Sequence, residues 1–304
     1  MEIEAARRRI ADTVVRTPLV RLQADGAAEI YLKLENLQPI GSFKLRGAAN
    51  ALALADPGEL AEGLWTASAG NMAQAVAWQA RERGLPCTVV VPDTAPRTKL
   101  DAVERLGARI VKVPPETWFE VFRTRSYPGM DGLFIHAFSD PAVMAGNGTI
   151  GLEILEDLPE PDAVLVPFGG GGLSCGIASA LRARAPGCEV YACEVETAAP
   201  LAASLAAGEP VEIEHRPSFV DGIGGPRVFP EMFALARELP DGSLVVGLEA
   251  VAAAIRLLVE RNRIVAEGAG AAPVAAALSR TGKVVCVVSG GNLDTATLRE
   301  ILQG

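Results

Sequence analysis

The chain has 304 residues and a formal net charge of −9 at pH 7, and 49% of its residues are hydrophobic and 21% are charged. This composition is typical of a soluble globular protein, and the acidic balance argues against a nucleic-acid partner. The sequence has neither a signal-peptide core nor an apolar run of membrane-spanning length, so we expect no membrane association. The five cysteines form no C-x-x-C pair, which favours reduced thiols and a cytoplasmic location.

Short apolar runs alternate along the chain with runs of helical periodicity. The predicted strands are Ile30–Leu34, Gly63–Thr66, Cys87–Val91, Arg109–Lys112, Ala163–Val166, Glu189–Cys193 and Lys283–Val288. The predicted helices are Lys44–Leu54, Asn71–Arg83, Arg97–Leu106, Asn147–Leu155, Leu173–Arg184, Leu248–Glu260 and Gly270–Arg280. This alternation predicts an α/β fold with parallel sheets. Two loops, 123–132 and 212–227, favour two lobes with a ligand cleft between them.

Lys44 is the first residue in chain order with a candidate chemical role. It lies in GSFKLRG at the start of a predicted helix, and it is one of five lysines in a chain with 23 arginines. A buried lysine can lose its proton and act as a nucleophile, whereas an arginine stays charged. The alternative for Lys44 is an ordinary surface cation at a helix start.

A second candidate segment, TASAGNMAQAVAWQA, runs from a predicted strand through small residues into a helix. Ser68 or Asn71 could cap this helix through a side-chain oxygen. The alternative is that the backbone amides of the same turn hold a carboxylate.

The strongest pattern is VLVPFGGGGLSCGIASAL, residues 164–181, in which four glycines separate an apolar strand from a helix. Glycines let the backbone approach a ligand closely, and a helix N-terminus attracts an anion. We therefore predict a phosphate here, with a flexible turn as the alternative. The spacing matches neither the dinucleotide fingerprint nor the P-loop.

The third strand-end turn is VVSGGNLD, residues 287–294. Ser289 follows a buried strand at its carboxyl end, which is where ligands meet an open α/β sheet. Asn292 could be a helix cap. Three strand-end turns rich in Gly, Ser and Asn predict a single crevice.

Several chemistries are disfavoured. The two histidines, His136 and His215, are not in H-E-x-x-H, and there is no G-x-S-x-G elbow and no Cys/His cluster for zinc. We expect His136 to be a packed or loop residue rather than a base. The remaining set of a lysine, a phosphate cradle, an anion-holding turn and a strand-end serine suits pyridoxal 5'-phosphate, whose aldehyde takes a lysine as a Schiff base.

The order and content of these motifs resemble the fold-type II pyridoxal-phosphate enzymes, in the branch of the threonine/serine dehydratases (ammonia-lyases) and serine racemases. The motifs that carry the resemblance are RTPL (16–19), LKLENLQPIGSFKLRGA (32–48), SAGNMAQAVA (68–77), AGNGTIGLEILE (145–156), PFGGGGLSCGIA (167–178), DGIG (221–224), EGAGAA (267–272) and SGGNLD (289–294). The resemblance implies two open parallel-sheet α/β domains of the tryptophan synthase β type, with the cofactor in the cleft. It divides the chain into a large cofactor-binding domain, 1–48 plus 139–304, and a small domain, 49–138. The chain stops about ten residues after SGGNLD, so we expect no C-terminal regulatory domain.

The resemblance also implies roles for individual residues. Lys44 forms the Schiff base and then acts as acid and base at the substrate Cα, and Phe43 packs on the cofactor ring. Asn71 contacts the 3-hydroxyl of the cofactor, and Ser289 hydrogen-bonds the pyridine nitrogen. The phosphate cradle consists of Gly169, Gly170, Gly171, Gly172 and Leu173, and the substrate carboxylate is held by Ser68, Ala69, Gly70 and Asn71.

Departures from the family pattern bear on the reaction. Ala69 stands where the racemase loop has a serine, which favours elimination over racemisation. Met72 replaces a usual histidine and Ile40 a usual threonine, so the substrate preference is open. The family's metal site aligns with Glu194, Ala198 and Pro200, and because proline cannot ligate through its side chain we expect no metal.

The resemblance therefore implies β-elimination of L-threonine or L-serine to a 2-oxo acid and ammonia, in a cytoplasmic homodimer. The alternatives are a serine racemase and a dehydratase of another β-hydroxy amino acid such as hydroxyaspartate. A phosphate-ligand-binding protein without catalysis is a third alternative, and the presence of both Lys44 and Ser289 argues against it.

Overall fold

The computed structural model describes residues 1–24, 26 and 28–304. Strand pairing in these ranges produces two sheets. The strands are β1 (Leu19–Arg21), β2 (Ala28–Leu34), β3 (Leu64–Ala67), β4 (Cys87–Pro92), β5 (Arg109–Val113), β6 (Leu133–Phe134), β7 (Ala163–Pro167), β8 (Glu189–Val195), β9 (Gly242–Val246) and β10 (Gly282–Val288). One sheet has the order β1-β2-β10-β7-β8-β9 and the other the order β5-β4-β3-β6. All pairs are parallel except β1 with β2, which confirms the predicted α/β fold.

Helices connect and cover these strands. They are α1 (Ile3–Ile10), α2 (Lys44–Ala53), α3 (Pro57–Ala61), α4 (Asn71–Arg83), α5 (Arg97–Arg105), α6 (Pro115–Thr124), α7 (Pro141–Asp157), α8 (Gly172–Arg184), α9 (Pro200–Ala207), α10 (Pro230–Ala236), α11 (Leu248–Leu257), α12 (Gly268–Ala277) and α13 (Thr295–Gln303). Strands β7 and β10 are buried on both faces by this covering, as their continuous apolar runs predict. In the part of the chain that the structure describes, no helix combines the length and the apolar character needed to cross a bilayer.

Every predicted strand and helix occurs, with bounds that shift by a few residues. The largest difference is α7, which begins at Pro141 rather than at the predicted Asn147. Its earlier start follows from Asp140, whose side chain accepts hydrogen bonds from the N–H groups of Ala142 and Val143. Strands β1, β6 and β9 were not predicted. Strands β1 and β6 have only three and two residues, too few to show a period, and β9 is a half-buried edge strand whose apolar run is short.

The two sheets come from different parts of the chain. The four-stranded sheet uses residues 64–134, and the six-stranded sheet uses residues 19–34 and 163–288. The domain boundaries expected from the sequence, 1–48 plus 139–304 and 49–138, stay a prediction. What matters for the site is the start of α2. Lys44 contacts Ala137, which lies after β6 of the four-stranded sheet, and the preceding Phe43 contacts Ser289, which follows β10 of the six-stranded sheet.

A buried ionic network fixes this start of α2. The Arg46 guanidinium donates to both oxygens of Glu35 at 2.8 Å and to Glu153 at 2.7 and 2.9 Å. The ammonium of Lys33 donates to Glu153 at 2.6 Å and to the carbonyl of Thr17. Arg46, Lys33 and Glu35 are fully buried. The network therefore ties β2, the turn after it, α2 and α7 to one another in the protein interior.

The charges in this network balance one another. Burial would raise the pKa of Glu153, but the neighbouring cations Arg46 and Lys33 outweigh it and hold that pKa below its ordinary value. A buried ion pair gains little net stability over an apolar packing, whereas removal of one partner leaves an uncompensated charge in the interior. We infer that the network mainly specifies the position of α2.

We expect Arg46→Ala to lower the free energy of unfolding by about 3–5 kcal/mol, because Glu35 would be buried without its cation and Glu153 would keep only Lys33. Arg16 provides the matched control, since it also pairs with a carboxylate of α7, that of Asp157, but is 47% exposed. Arg16→Ala should cost about 0–1 kcal/mol. Urea unfolding followed by circular dichroism measures both variants, and equal losses would contradict the buried network.

Candidate active site

The carboxyl ends of the central strands open into a cavity of about 490 Å³. Ala67 ends β3, Pro167 ends β7 and Ser289 follows β10, and all three line this cavity. The structure brings all the predicted site residues to this one cavity: Phe43, Lys44, Ser68, Ala69, Gly70, Asn71, Gly169, Gly170, Gly171, Gly172, Leu173 and Ser289. The crevice expected from three strand-end turns is therefore confirmed, while the individual roles of these residues stay predictions.

Lys44 is the first residue of α2, and its amine points into the interior. Nζ donates to the carbonyl of Ala137 at 2.6 Å and lies 4.9 Å from the ring centroid of Phe43. Burial lowers the pKa of Lys44 to about 8, although the carboxylate of Glu267 opposes the shift. A surface cation is thus the wrong interpretation for Lys44, because this amine is desolvated and its lowered pKa leaves a larger neutral fraction at physiological pH than an ordinary lysine has.

Three of the four glycines, Gly170, Gly171 and Gly172, lie where a side chain would not fit without strain. A Cβ at Gly170 would come within 2.0 Å of the ring of Phe138, and one at Gly172 within 2.7 Å of the carbonyl oxygen of the same residue. Gly171 has a φ of +88°, which favours glycine. It is also the N-cap of α8 and provides no side-chain cap, so the first-turn amides of that helix keep their hydrogen-bonding capacity for an anion.

Asn71 links the turn after β3 to the other sheet. Its Nδ2 donates to Oε1 of Glu267 at 2.9 Å, and its Oδ1 accepts from Nδ2 of Asn292 at 2.7 Å. Asn292 donates further to the carbonyl of Ile40 at 2.9 Å. The side chain of Asn71 is therefore held in one orientation by two residues that are distant in sequence.

The suggested capping roles at these turns are wrong. Gly70 is the N-cap of α4 and no side chain caps that helix, because the side chain of Asn71 contacts Glu267 and Asn292. Ser68 accepts instead from the N–H of Gly70 at 3.3 Å and closes its own turn. For α13 the cap is Asp294, which accepts from Ala296, so Asn292 is free to contact Asn71.

Ser289 and Phe43 are joined through the backbone. The N–H of Phe43 donates to the carbonyl of Ser289 at 2.9 Å, and the adjacent pair Ser42 and Gly290 forms an isolated β-bridge. Ser289 is 2% exposed. This backbone contact sets the serine after β10 beside the residue that precedes Lys44.

Glu267 is a cavity residue to which the sequence assigned no role. It precedes α12 in the EGAGAA motif, and burial, together with the charge of Asp221, raises its pKa to about 7. Its carboxylate accepts from Asn71 and acts electrostatically on Lys44. The motif itself was the only available signal, because the partner Asn71 is 196 residues away in sequence.

His136 and Glu194 have structural roles. Nδ1 of His136 accepts from the N–H groups of Phe138 and Ser139, and burial lowers the pKa of His136 to about 3, so the ring is neutral and packed as expected. Glu194 accepts from the N–H groups of Leu201 and Ala202 at 2.8 Å each and so caps α9. No cluster of His, Cys, Asp and Glu suited to a metal occurs among residues 1–24, 26 and 28–304.

Comparison with known proteins shows similarity along nearly the whole chain. Residues 10–290 match the family model described as pyridoxal-phosphate dependent enzyme. The chain is 40% identical over 311 residues to the L-threonine ammonia-lyase of Thermotoga maritima, which covers 99% of this chain and 77% of that protein. A maize serine racemase has a TM-score of 0.91 at 32% identity, with 99% of this chain and 95% of that chain covered. The threonine deaminase of T.th. has a TM-score of 0.89 at 36% identity, with coverage of 96% and 97%.

The lowered pKa of Lys44 predicts its reactivity. In protein freed of any cofactor, acylation of Lys44 by acetic anhydride should rise with pH and reach half its maximum near pH 8, because only the neutral amine reacts. Mass spectrometry of the peptide measures the rate, and the exposed Lys283 serves as the reference for reagent access. A midpoint for Lys44 above pH 10 would contradict the desolvated amine.

Proposed function

The chain belongs to the family of pyridoxal-phosphate-dependent enzymes, and on that premise we propose that it catalyses the β-elimination of L-threonine or L-serine to a 2-oxo acid and ammonia. The observation that carries this proposal is the desolvated amine of Lys44 in a cavity that also contains an anion cradle. The names of its full-length relatives, L-threonine ammonia-lyase and threonine deaminase, support the choice of substrate.

The residues of the cavity are suited to pyridoxal 5'-phosphate. Gly169–Leu173 provide a cradle in which Cβ atoms at Gly170 and Gly172 would collide with Phe138, and uncapped amides follow at the start of α8. In our proposal Lys44 holds the cofactor covalently, Ser289 contacts the ring nitrogen, Asn71 contacts the 3-hydroxyl and Phe43 packs on the ring. When bound, the cofactor supplies a ring that withdraws electrons from the substrate Cα.

The chain's own residues supply the proton transfer and the binding contacts. The Ser68–Asn71 turn holds the substrate carboxylate with its backbone amides, and the bonds of Asn71 to Glu267 and Asn292 keep this turn in place. The amine of Lys44 then removes the Cα proton, for which a pKa of about 8 is well matched. Loss of the β-hydroxyl as water follows, and hydrolysis of the released enamine gives the 2-oxo acid and ammonia.

We also propose that the protein works in the cytoplasm as a homodimer. All five cysteines are buried free thiols, which is compatible with a reducing compartment. Exposed apolar side chains, Leu37 at 51% and Val265 at 41%, line a second pocket of about 440 Å³. An apolar surface of this kind suits contact with a second copy of the chain.

Replacement of Lys44 by alanine should abolish 2-oxo acid formation from both amino acids and also the visible absorbance of the bound cofactor, because Lys99, the other lysine that lines the cavity, is paired with Asp221. Product analysis and the visible spectrum of the purified variant measure both effects. Lys112→Ala is the matched control, since Lys112 is exposed on β5 and does not line the cavity. Continued turnover in Lys44→Ala would overturn the proposal.

Serine racemisation is the second candidate, because a serine racemase is among the structures most similar to this chain. Racemisation requires a proton donor on the face of Cα opposite the lysine, and the cavity presents the methyl group of Ala69 where the resemblance places that donor. We expect the protein to convert L-serine to pyruvate at a rate at least about tenfold above the rate of D-serine formation. Chiral chromatography of the reaction measures both, and a predominance of D-serine would favour the racemase.

A further inference from the structure

One wall of the cavity is formed by aromatic side chains. The chain has three Trp, three Tyr and nine Phe residues, and six of these line the cavity, although aromatic residues make up only 5% of the sequence. One of the six, Phe43, lies beside Lys44. The other five form what we call the aromatic wall: Trp118, Phe119, Phe122, Phe138 and Phe229.

The rings of the aromatic wall are in mutual contact. Phe122 is its buried centre, with ring centroids at 5.4 Å from Trp118, 5.3 Å from Phe138 and 5.9 Å from Phe229. Phe119 extends the wall from Phe229 at 6.2 Å. These separations are typical of favourable aromatic pairs. The four outer rings are partly exposed and line the cavity. Their surface is therefore available to a ligand and does not serve only to pack α6 against the core.

The aromatic wall lies beside the reacting groups. Phe138 follows Ala137, whose carbonyl accepts from Nζ of Lys44 at 2.6 Å. The same ring packs on Gly170 of the phosphate cradle, where no Cβ would fit. A substrate bound at Lys44 therefore has aromatic carbon within reach of its side chain.

The cations that line the cavity besides Lys44 already have partners. Lys99 pairs with Asp221 across the cavity mouth. Arg227 pairs with Glu212 at 3.0 Å and stacks over the ring of Phe119 at 5.0 Å. Arg227 thus extends the aromatic surface outwards and leaves little free positive charge for a second carboxylate. This arrangement argues against hydroxyaspartate as the substrate.

We propose that the preferred substrates are β-hydroxy amino acids whose β-carbon carries an aromatic or bulky apolar group, with 3-phenylserine as the model compound. The inference rests on the proposed β-elimination and specifies which side chains the same site selects. Apolar pockets of this kind discriminate by the apolar surface that a ligand buries. The methyl group of threonine or the hydrogen of serine at the β-carbon would leave much of the aromatic wall without contact to the substrate.

The reaction needs no additional reagent. The Cα–H and Cβ–O bonds break, a Cα–Cβ double bond forms, and the proton and hydroxide leave as water. The resulting enamine tautomerises to an imine and takes up one water, which releases ammonia and gives phenylpyruvate from 3-phenylserine. No change in oxidation state of a second compound is involved.

The first experiment compares kcat/KM of the holoenzyme for L-threo-3-phenylserine, L-threonine and L-serine from 2-oxo acid formation. We expect the value for 3-phenylserine to exceed that for L-serine at least about tenfold. L-Phenylalanine, which has no β-hydroxyl to lose, should inhibit L-serine turnover with a lower inhibition constant than L-alanine. Turnover of L-serine and L-threonine with slower or absent turnover of 3-phenylserine would overturn this inference alone. No oxo acid from any of the three would instead overturn the proposed function.

The second experiment tests the aromatic wall through the ratio of kcat/KM for 3-phenylserine to that for L-serine. Phe119→Ala should lower this ratio about tenfold, because it removes a ring from the wall. Phe134→Ala is the matched control, since Phe134 packs on Trp65 at 4.5 Å and on His136 at 6.1 Å without lining the cavity. An unchanged ratio in Phe119→Ala, or an equal drop in Phe134→Ala, would overturn the assignment. The wild-type comparison decides the matter if either variant fails to fold.

Discussion

The position of Lys44 depends on the ion pairs that Arg46 makes two residues further along α2. This guanidinium bridges Glu35 and Glu153, so the helix cannot rotate or slide without breaking charge-assisted bonds in the interior. A protein could be as stable with apolar residues at these positions. What the charges add is a single allowed arrangement of α2, α7 and the turn after β2. The position of the proposed catalytic lysine is thus specified by residues that do not line the cavity.

The cavity is equally dependent on contacts between the two sheets. Asn71, which follows the four-stranded sheet, bonds to Glu267 and Asn292, which belong to segments around the six-stranded sheet. These bonds join the proposed carboxylate turn to the surroundings of Lys44. Burial in the cavity is also the largest cause of the lowered pKa of Lys44 and of the raised pKa of Glu267. The contacts that enclose the cavity therefore also shift the pKa values of its ionisable groups.

The polar and apolar parts of the cavity suggest two separate functions, anion binding and selection of the substrate side chain. The glycine cradle and the Ser68–Asn71 turn offer backbone amides, which in our proposal bind the anionic groups common to all α-amino acids and the cofactor. The aromatic wall offers mainly ring surface, which distinguishes one substrate side chain from another. The family's reaction can therefore be retained while the substrate range changes, because the two functions depend on different segments of the chain.

The sequence by itself determined the α/β class, the seven predicted strands, the seven predicted helices, and the turns that line the cavity. These features follow from local periodicity and from residue types with special backbone or chemical properties, such as the glycines at 169–172 and Lys44. Tertiary structure decided the rest: the role of Glu267, the two partners of Asn71, the capping of α13 by Asp294 rather than Asn292, and the assembly of the aromatic wall. The bonds of Asn71 join positions 196 and 221 residues apart. The five rings of the wall come from 118–122, 138 and 229, which lie far apart along the chain. No local pattern encodes such contacts, because they arise only when packing brings separate loops to the same strand ends.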